Sequence, residues 1–221
     1  MKAAGSHPRG VALLMGLLLL AALSLLAIVS TNGMLLQRRM AANFDDRGLA
    51  LGNADRAVAA ARAWLDSRAD VERQADCVSG CWLPVAIHAA GELPANPEFE
   101  SAAWWRANGV PAGAHPESGE SVGAGALPGD ASRWLIEEIH FAPPAGAVSG
   151  PVIGGIGYYR IFGRGTGADP ASVAVAESIA ARPWQGDYAP AAYPPSAPPL
   201  EFCRQFDPLL PCGTLAWRRR K

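Results

Sequence analysis

The chain divides by where its apolar residues fall. From Val11 to Val29 there is no charged residue, and Ser24 is the only hydroxyl. A helix over that run would rise about 28 Å, enough to cross a hydrocarbon core of about 30 Å. Apolar positions continue through Met34, Leu35 and Leu36. A cleavable secretory signal has a shorter apolar core, about 7–15 residues, closed by a small-residue cut site, and "IVSTNG" fits that pattern poorly. Residues 11–36 are therefore expected to stay as a transmembrane helix. Beyond them the pattern turns amphipathic. Met40, Phe44, Leu51, Ala54, Val58, Ala61 and Leu65 recur mainly at spacings of three and four, while Arg39, Asp45, Asp46, Asn53, Asp55, Arg56 and Arg62 take the other faces. No proline lies between Pro8 and Pro84, so nothing forces a break before about Ser67. The alanine-rich seam suits a helix lying on a sheet better than a coiled-coil stalk.

After Cys81 the helical period gives way to short segments set among glycine and proline. "CWLPVAIH" reads as a strand cut short by Pro84, and "FESAAWWRANG" as a short helix ended by Gly109. Residues 110–130 read as a surface loop. Arg133 to Phe141, Gly157 to Gly163 and Ser172 to Ala180 are strand candidates, rich in Ile, Val and Tyr with partial alternation. "GRGTG", residues 163–167, is expected to turn between the last two. The proline-rich tail from Pro183, with "YPPSAPP", reads as extended, and the final "WRRRK" as solvated. The expected fold class is α+β, a long N-terminal helix packed on a small antiparallel sheet.

Composition places this pattern in a compartment. At 221 residues there is room for one anchor and one domain, and a net charge of −1 gives no bulk field to recruit nucleic acid. Lys2, His7 and Arg9 precede the apolar run and no acid occurs before Asp45, so the N-terminus should stay cytoplasmic and the remainder be exported. Four cysteines in an exported chain favour disulfides. They fall as two local pairs, Cys77/Cys81 and Cys203/Cys212. Three connectivities are possible, and local pairing is the expectation. A zinc site with His88, His115 or His140 is disfavoured, because no CxxC pair is present.

Nothing in the motifs points to turnover. Glu137 and Glu138 are adjacent on a candidate strand and should face opposite sides, as an ordinary solvated pair. The glycines of "GRGTG" lack the lysine of a phosphate loop and lead into a strand. Neither GxSxG nor HExxH occurs. Trp104 and Trp105 are expected to pack onto the domain. No enzyme activity, cofactor or metal is expected.

The junction itself has a counterpart. A short basic leader ending in Gly10, followed by an apolar helix from Val11, resembles the class III prepilin signal of type IV pili and type II secretion. "LLQRRMAANFDDRGLALGNADRAVAAARAWL" is similar to the N-terminal signature of PilX-type minor pilins, with Met40, Ala41, Ala42, Asn43, Asp46 and Arg47 carrying the likeness. "RWLIEEI" and "YYRIFGRGTGADPASVAVAESIAARPW" resemble the closing strands of the same proteins. The resemblance implies a leader of residues 1–10, cut by a prepilin peptidase between Gly10 and Val11, with N-methylation of Val11. It further implies a membrane and fibre-core helix over 11–36, its amphipathic continuation over 37–68, and a periplasmic head over 69–221 with a disulfide-stapled C-terminal region. The chain would reside in the inner membrane and then at the pilus tip or in the fibre. Its partners would be other minor pilins, the major pilin and a large tip adhesin.

Position 15 departs from the family pattern. Most pilins carry a glutamate at the fifth mature position, where this chain has Met15. That carboxylate partners the N-terminal amine of a neighbouring subunit, so its absence implies a place in the tip or priming complex. A type II secretion tip pseudopilin and a signal-anchored periplasmic binding module are the alternatives.

Overall fold

The computed structural model describes residues 9–68, 81–84, 94–116, 131–144, 154–184 and 202–221, without the side chains of 9–12, 28, 29 and 32. It falls into two compact units, Met1–Asp45 and Asp46–Lys221. Helix α1 is Arg9–Ser67.

In the first unit, large apolar side chains from Leu13 to Phe44 are exposed, Leu13 at 75% and Phe44 at 78%. Two of its hydroxyls bond back to the preceding helical turn: Ser24 Oγ donates to Leu20 O at 2.8 Å and Thr31 Oγ1 to Ala27 O at 2.7 Å. Neither therefore asks for an outside partner. Among the described residues, no helix is long and apolar enough to cross a membrane.

The second unit is built on one antiparallel sheet. Its strands are β1 (Cys81–Leu83), β2 (Val110–Pro111), β3 (Ser132–Ala142), β4 (Gly155–Thr166), β5 (Val173–Trp184) and β6 (Gly213–Arg219). The order is β1-β3-β4-β5-β6, with β2 also on β3. The three inner strands, β3 to β5, coincide with the three sequence candidates and extend them. A bulge between Glu138 and His140 interrupts the β3–β4 register.

Helix α1 lies on one sheet face through its small residues. Ala50 and Ala54 pack against Ala174 and Ala176, while Ala57, Ala61, Trp64 and Leu65 pack among Trp134, Ile136, Tyr159, Ile161 and Ala180. Two glycines of β4 let the backbones meet. A Cβ on Gly163 would overlap the carbonyl of Ala54, and one on Gly165 would overlap backbone atoms of Ala50 and Ala54. This corrects the turn expected at 163–167. Residues 163–166 continue β4, and the glycines serve close approach to a helix. The chain reverses after Gly167, where its N–H donates to Ser172 O at 2.8 Å.

The helix faces also need correction. Asn53 and Arg62 are buried, at 4% and 6% exposure, because the sheet supplies polar partners that a helical wheel cannot reveal.

The opposite sheet face is covered as well. Leu135, Phe162 and Val175 pack on Trp105, which sits in helix α2 (Ala102–Asn108). Ser101 caps that helix by accepting from Trp104 N, and Gly109 ends it. Trp105 is fully buried and donates through Nε1 to Pro97 O at 2.9 Å. The C-terminal tail stays exposed from Thr214 to Arg219, as expected, but it is not free. Residues 213–219 form edge strand β6 on β5. Arg220, beyond it, places its guanidinium on Glu98 at 2.7 Å and Glu177 at 2.6 Å. A strand with three consecutive arginines near its end is stable here because two buried carboxylates wait for the last of them.

Candidate assembly site

Polar side chains tie the helix to the hairpin between β4 and β5. Asp46 Oδ1 accepts from the backbone N–H groups of Ala168 and Asp169, at 2.5 and 3.2 Å. The Ser172 side chain also bonds this carboxylate and is the main reason its pKa lies below the ordinary value. Desolvation opposes that, and the two backbone bonds add to the lowering. Two turns further, Asn53 Nδ2 donates to Thr166 O at 2.7 Å, while Ser132 Oγ donates to Asn53 O at 2.6 Å. The lock thus joins helix, β3 and the β4–β5 turn within the second unit.

A second polar group closes the end of the helix. Arg62 Nε meets Asp66 Oδ2 at 2.9 Å, with both side chains buried, and Arg62 also donates to Ala181 O at 3.2 Å. Burial raises the Asp66 pKa and outweighs the attraction of Arg62. Nearby, Tyr159 OH donates to Glu138 Oε2 and accepts from Trp184 Nε1, each at 2.9 Å. Burial, and after it the Glu138 carboxylate, pushes the phenol far above its usual range.

Glu137 and Glu138 face opposite sides as expected, but they are not a solvated pair. Glu138 is 4% exposed, and Glu137 is half-buried against Arg160 at 3.3 Å. Burial lifts the Glu137 pKa, with Arg160 opposing. Chemically, these groups are engaged in holding strands and helix together.

The residues singled out from the sequence fall in both units. Gly10 and Val11 lie in the first turns of α1, and Met15 is 65% exposed. Met40, Ala41, Ala42 and Asn43 are exposed in the first unit, while Asp46 and Arg47 belong to the second, where only Asp46 is in the lock. Cys203 and Cys212 are disulfide-bonded. Cys81 is disulfide-bonded as well, and Cys77 and His88 lie outside the described residues.

Residues 9–59 match the family model described as PilX N-terminal. That segment is similar to the N-terminal region of PilX-type type IV pilins. Comparison with curated proteins and with solved structures returned no match. The family-matched segment contains Asp46 and Asn53, so the matched sequence carries its own attachment to the sheet of the second unit. Sequence reasoning missed Gly163 and Gly165 as the seat of the helix and β6 as a strand. The signal for β6 was present in "GTLAW", whose β-favouring residues are flanked by Cys212-Gly213 and the arginines.

Proposed function

We propose that this chain is a minor pilin that primes or caps a type IV pilus together with other minor pilins, and that it does so without catalysis. The observation that carries this reading is the PilX-type N-terminus, whose leucine-rich first unit is exposed along its length. A surface of that kind needs lipid or other helices around it. In this account the leader is cut between Gly10 and Val11, Val11 is methylated, and the helix from Val11 sits first in the inner membrane and then in the fibre core. The head, periplasmic before assembly, meets the other minor pilins, the major pilin and a large tip adhesin.

Met15 supports a position at the tip. A subunit with no neighbour above it has no buried amine to neutralise, whereas in the shaft a missing carboxylate would leave that amine as an uncompensated buried charge. The test is immunogold labelling of pili from cells producing the native chain and the Met15→Glu variant. The native chain is expected at fibre ends, with loss of piliation when it is deleted. Uniform labelling along the shaft by the native chain would contradict the tip assignment.

A further inference from the structure

The two edges of the sheet are finished differently. At one side β3 is covered by β1 and β2, of three and two residues. At the other side β6 runs for seven residues and, among the described residues, pairs only with β5. Every residue from Thr214 to Arg219 is exposed. An edge strand leaves a row of backbone N–H and C=O groups open, and proteins usually shorten, cover or charge such an edge. Here Thr214 to Trp217 carry no charge, and Leu215 and Trp217 are 50% and 48% exposed. A register shift at Leu215 leaves Ala216–Arg219 regularly paired with Ile179–Ala176. The preceding disulfide loop, closed by Cys203–Cys212, exposes Leu209 at 88%.

The charge along this edge is of one sign. Arg218 keeps 63% of its side chain exposed while bonding Glu177, and among the described residues Arg219 has no ion-pair partner. The chain as a whole is nearly neutral, so this is a local feature. It calls for a carboxylate opposite Arg218 and apolar side chains opposite Trp217, which lie on opposite faces of the strand.

We propose that β6 is a strand-addition edge that takes an extended, alternately apolar and acidic segment of a neighbouring subunit. The identity of the partner as a neighbouring subunit rests on the pilus reading above; the edge and its chemistry do not. Backbone hydrogen bonds would supply affinity, while Trp217 on one face and Arg218 on the other would select the alternation.

The test uses the full chain in detergent and two blocked octapeptides, (Val-Glu)4 and (Val-Lys)4, followed by tryptophan fluorescence and calorimetry. The acidic peptide should bind at least tenfold more tightly than the basic one, and its fully N-methylated form should not bind. Trp217→Ala should weaken binding at least tenfold, and Arg218→Gln should narrow the preference, both with far-UV circular dichroism and the urea midpoint close to those of the parent. Equal binding of both peptides, or binding that survives N-methylation, would overturn the proposal. A disulfide-linked homodimer of Ala216→Cys would overturn it too, since the edge would then belong to a second copy. The N-terminus is read in the same preparation. A chain starting at Val11 that ignores the acidic peptide sinks the edge alone, and an uncleaved chain that binds it sinks the pilin account while leaving the edge.

Discussion

Replacing Gly165 by alanine tests the seat of the helix more sharply than any truncation. The added Cβ would overlap backbone atoms of Ala50 and Ala54 and stand 2.8 Å from the carbonyl carbon of Asn53. These obstacles are helix backbone, so no rotamer change relieves them, and the helix must move off β4. Overpacking of this kind costs about 1–3 kcal/mol. The shift also strains the bonds from Asn53 to Thr166 O and from Ser132 to Asn53 O, worth about 1 kcal/mol each. A total of about 3–5 kcal/mol corresponds to a fall in Tm of roughly 6–20 °C for a chain of this size. Gly52→Ala is the control: its Cβ meets nothing within 4 Å, and in a helix interior it should stabilise by about 1 kcal/mol. Thermal melts of the full chain in detergent, followed by near-UV circular dichroism of the tryptophans, read both. If Gly165→Ala melts within a degree of the parent, the helix does not sit on β4 as described.

Three further outcomes follow from the same packing. Trp105→Ala should cost about 3–5 kcal/mol in urea unfolding, since it empties a fully buried indole site and strands the Pro97 carbonyl; a loss under about 1 kcal/mol would contradict its place in the second core. Asp66→Ala should cost about 3–5 kcal/mol by leaving Arg62 buried without its carboxylate, whereas the Arg62→Met, Asp66→Leu pair should recover most of that loss; strict additivity of the single changes would refute the coupling. Asp46 has a folded pKa below its ordinary 3.8. Its contribution is therefore fully present above that value and is lost as pH falls through the lower folded value. Amide protection at Ala168 and Asp169 should accordingly drop in that acid range, and Asp46→Asn should flatten the pH dependence.

Much of the fold was legible because it is local. The helix announces itself through the absence of proline, and β3 to β5 through Ile, Val and Tyr enrichment. The errors share a cause: each hinged on a partner far away in sequence. Asn53 and Arg62 read as solvent-facing because their acceptors, Thr166 O and Ala181 O, lie more than a hundred residues on. Gly163 and Gly165 read as a turn because glycine there answers to a helix surface invisible in the local pattern. Glu138 read as solvated although Tyr159 waits across the ladder. The docking of Arg220 in the otherwise solvated tail was missed because its buried carboxylates, Glu98 and Glu177, belong to other elements. At the candidate site, the sequence marked Asp46 as part of a family signature but not as the clamp on the β4–β5 turn.

The central claim is that the chain is a processed pilin, and its N-terminus tests that most directly. Intact-mass and N-terminal peptide mass spectrometry of the membrane-extracted protein should find a mature chain that begins at Val11 and is methylated there. An N-terminus still at Met1, or one beyond residue 30, would contradict the account.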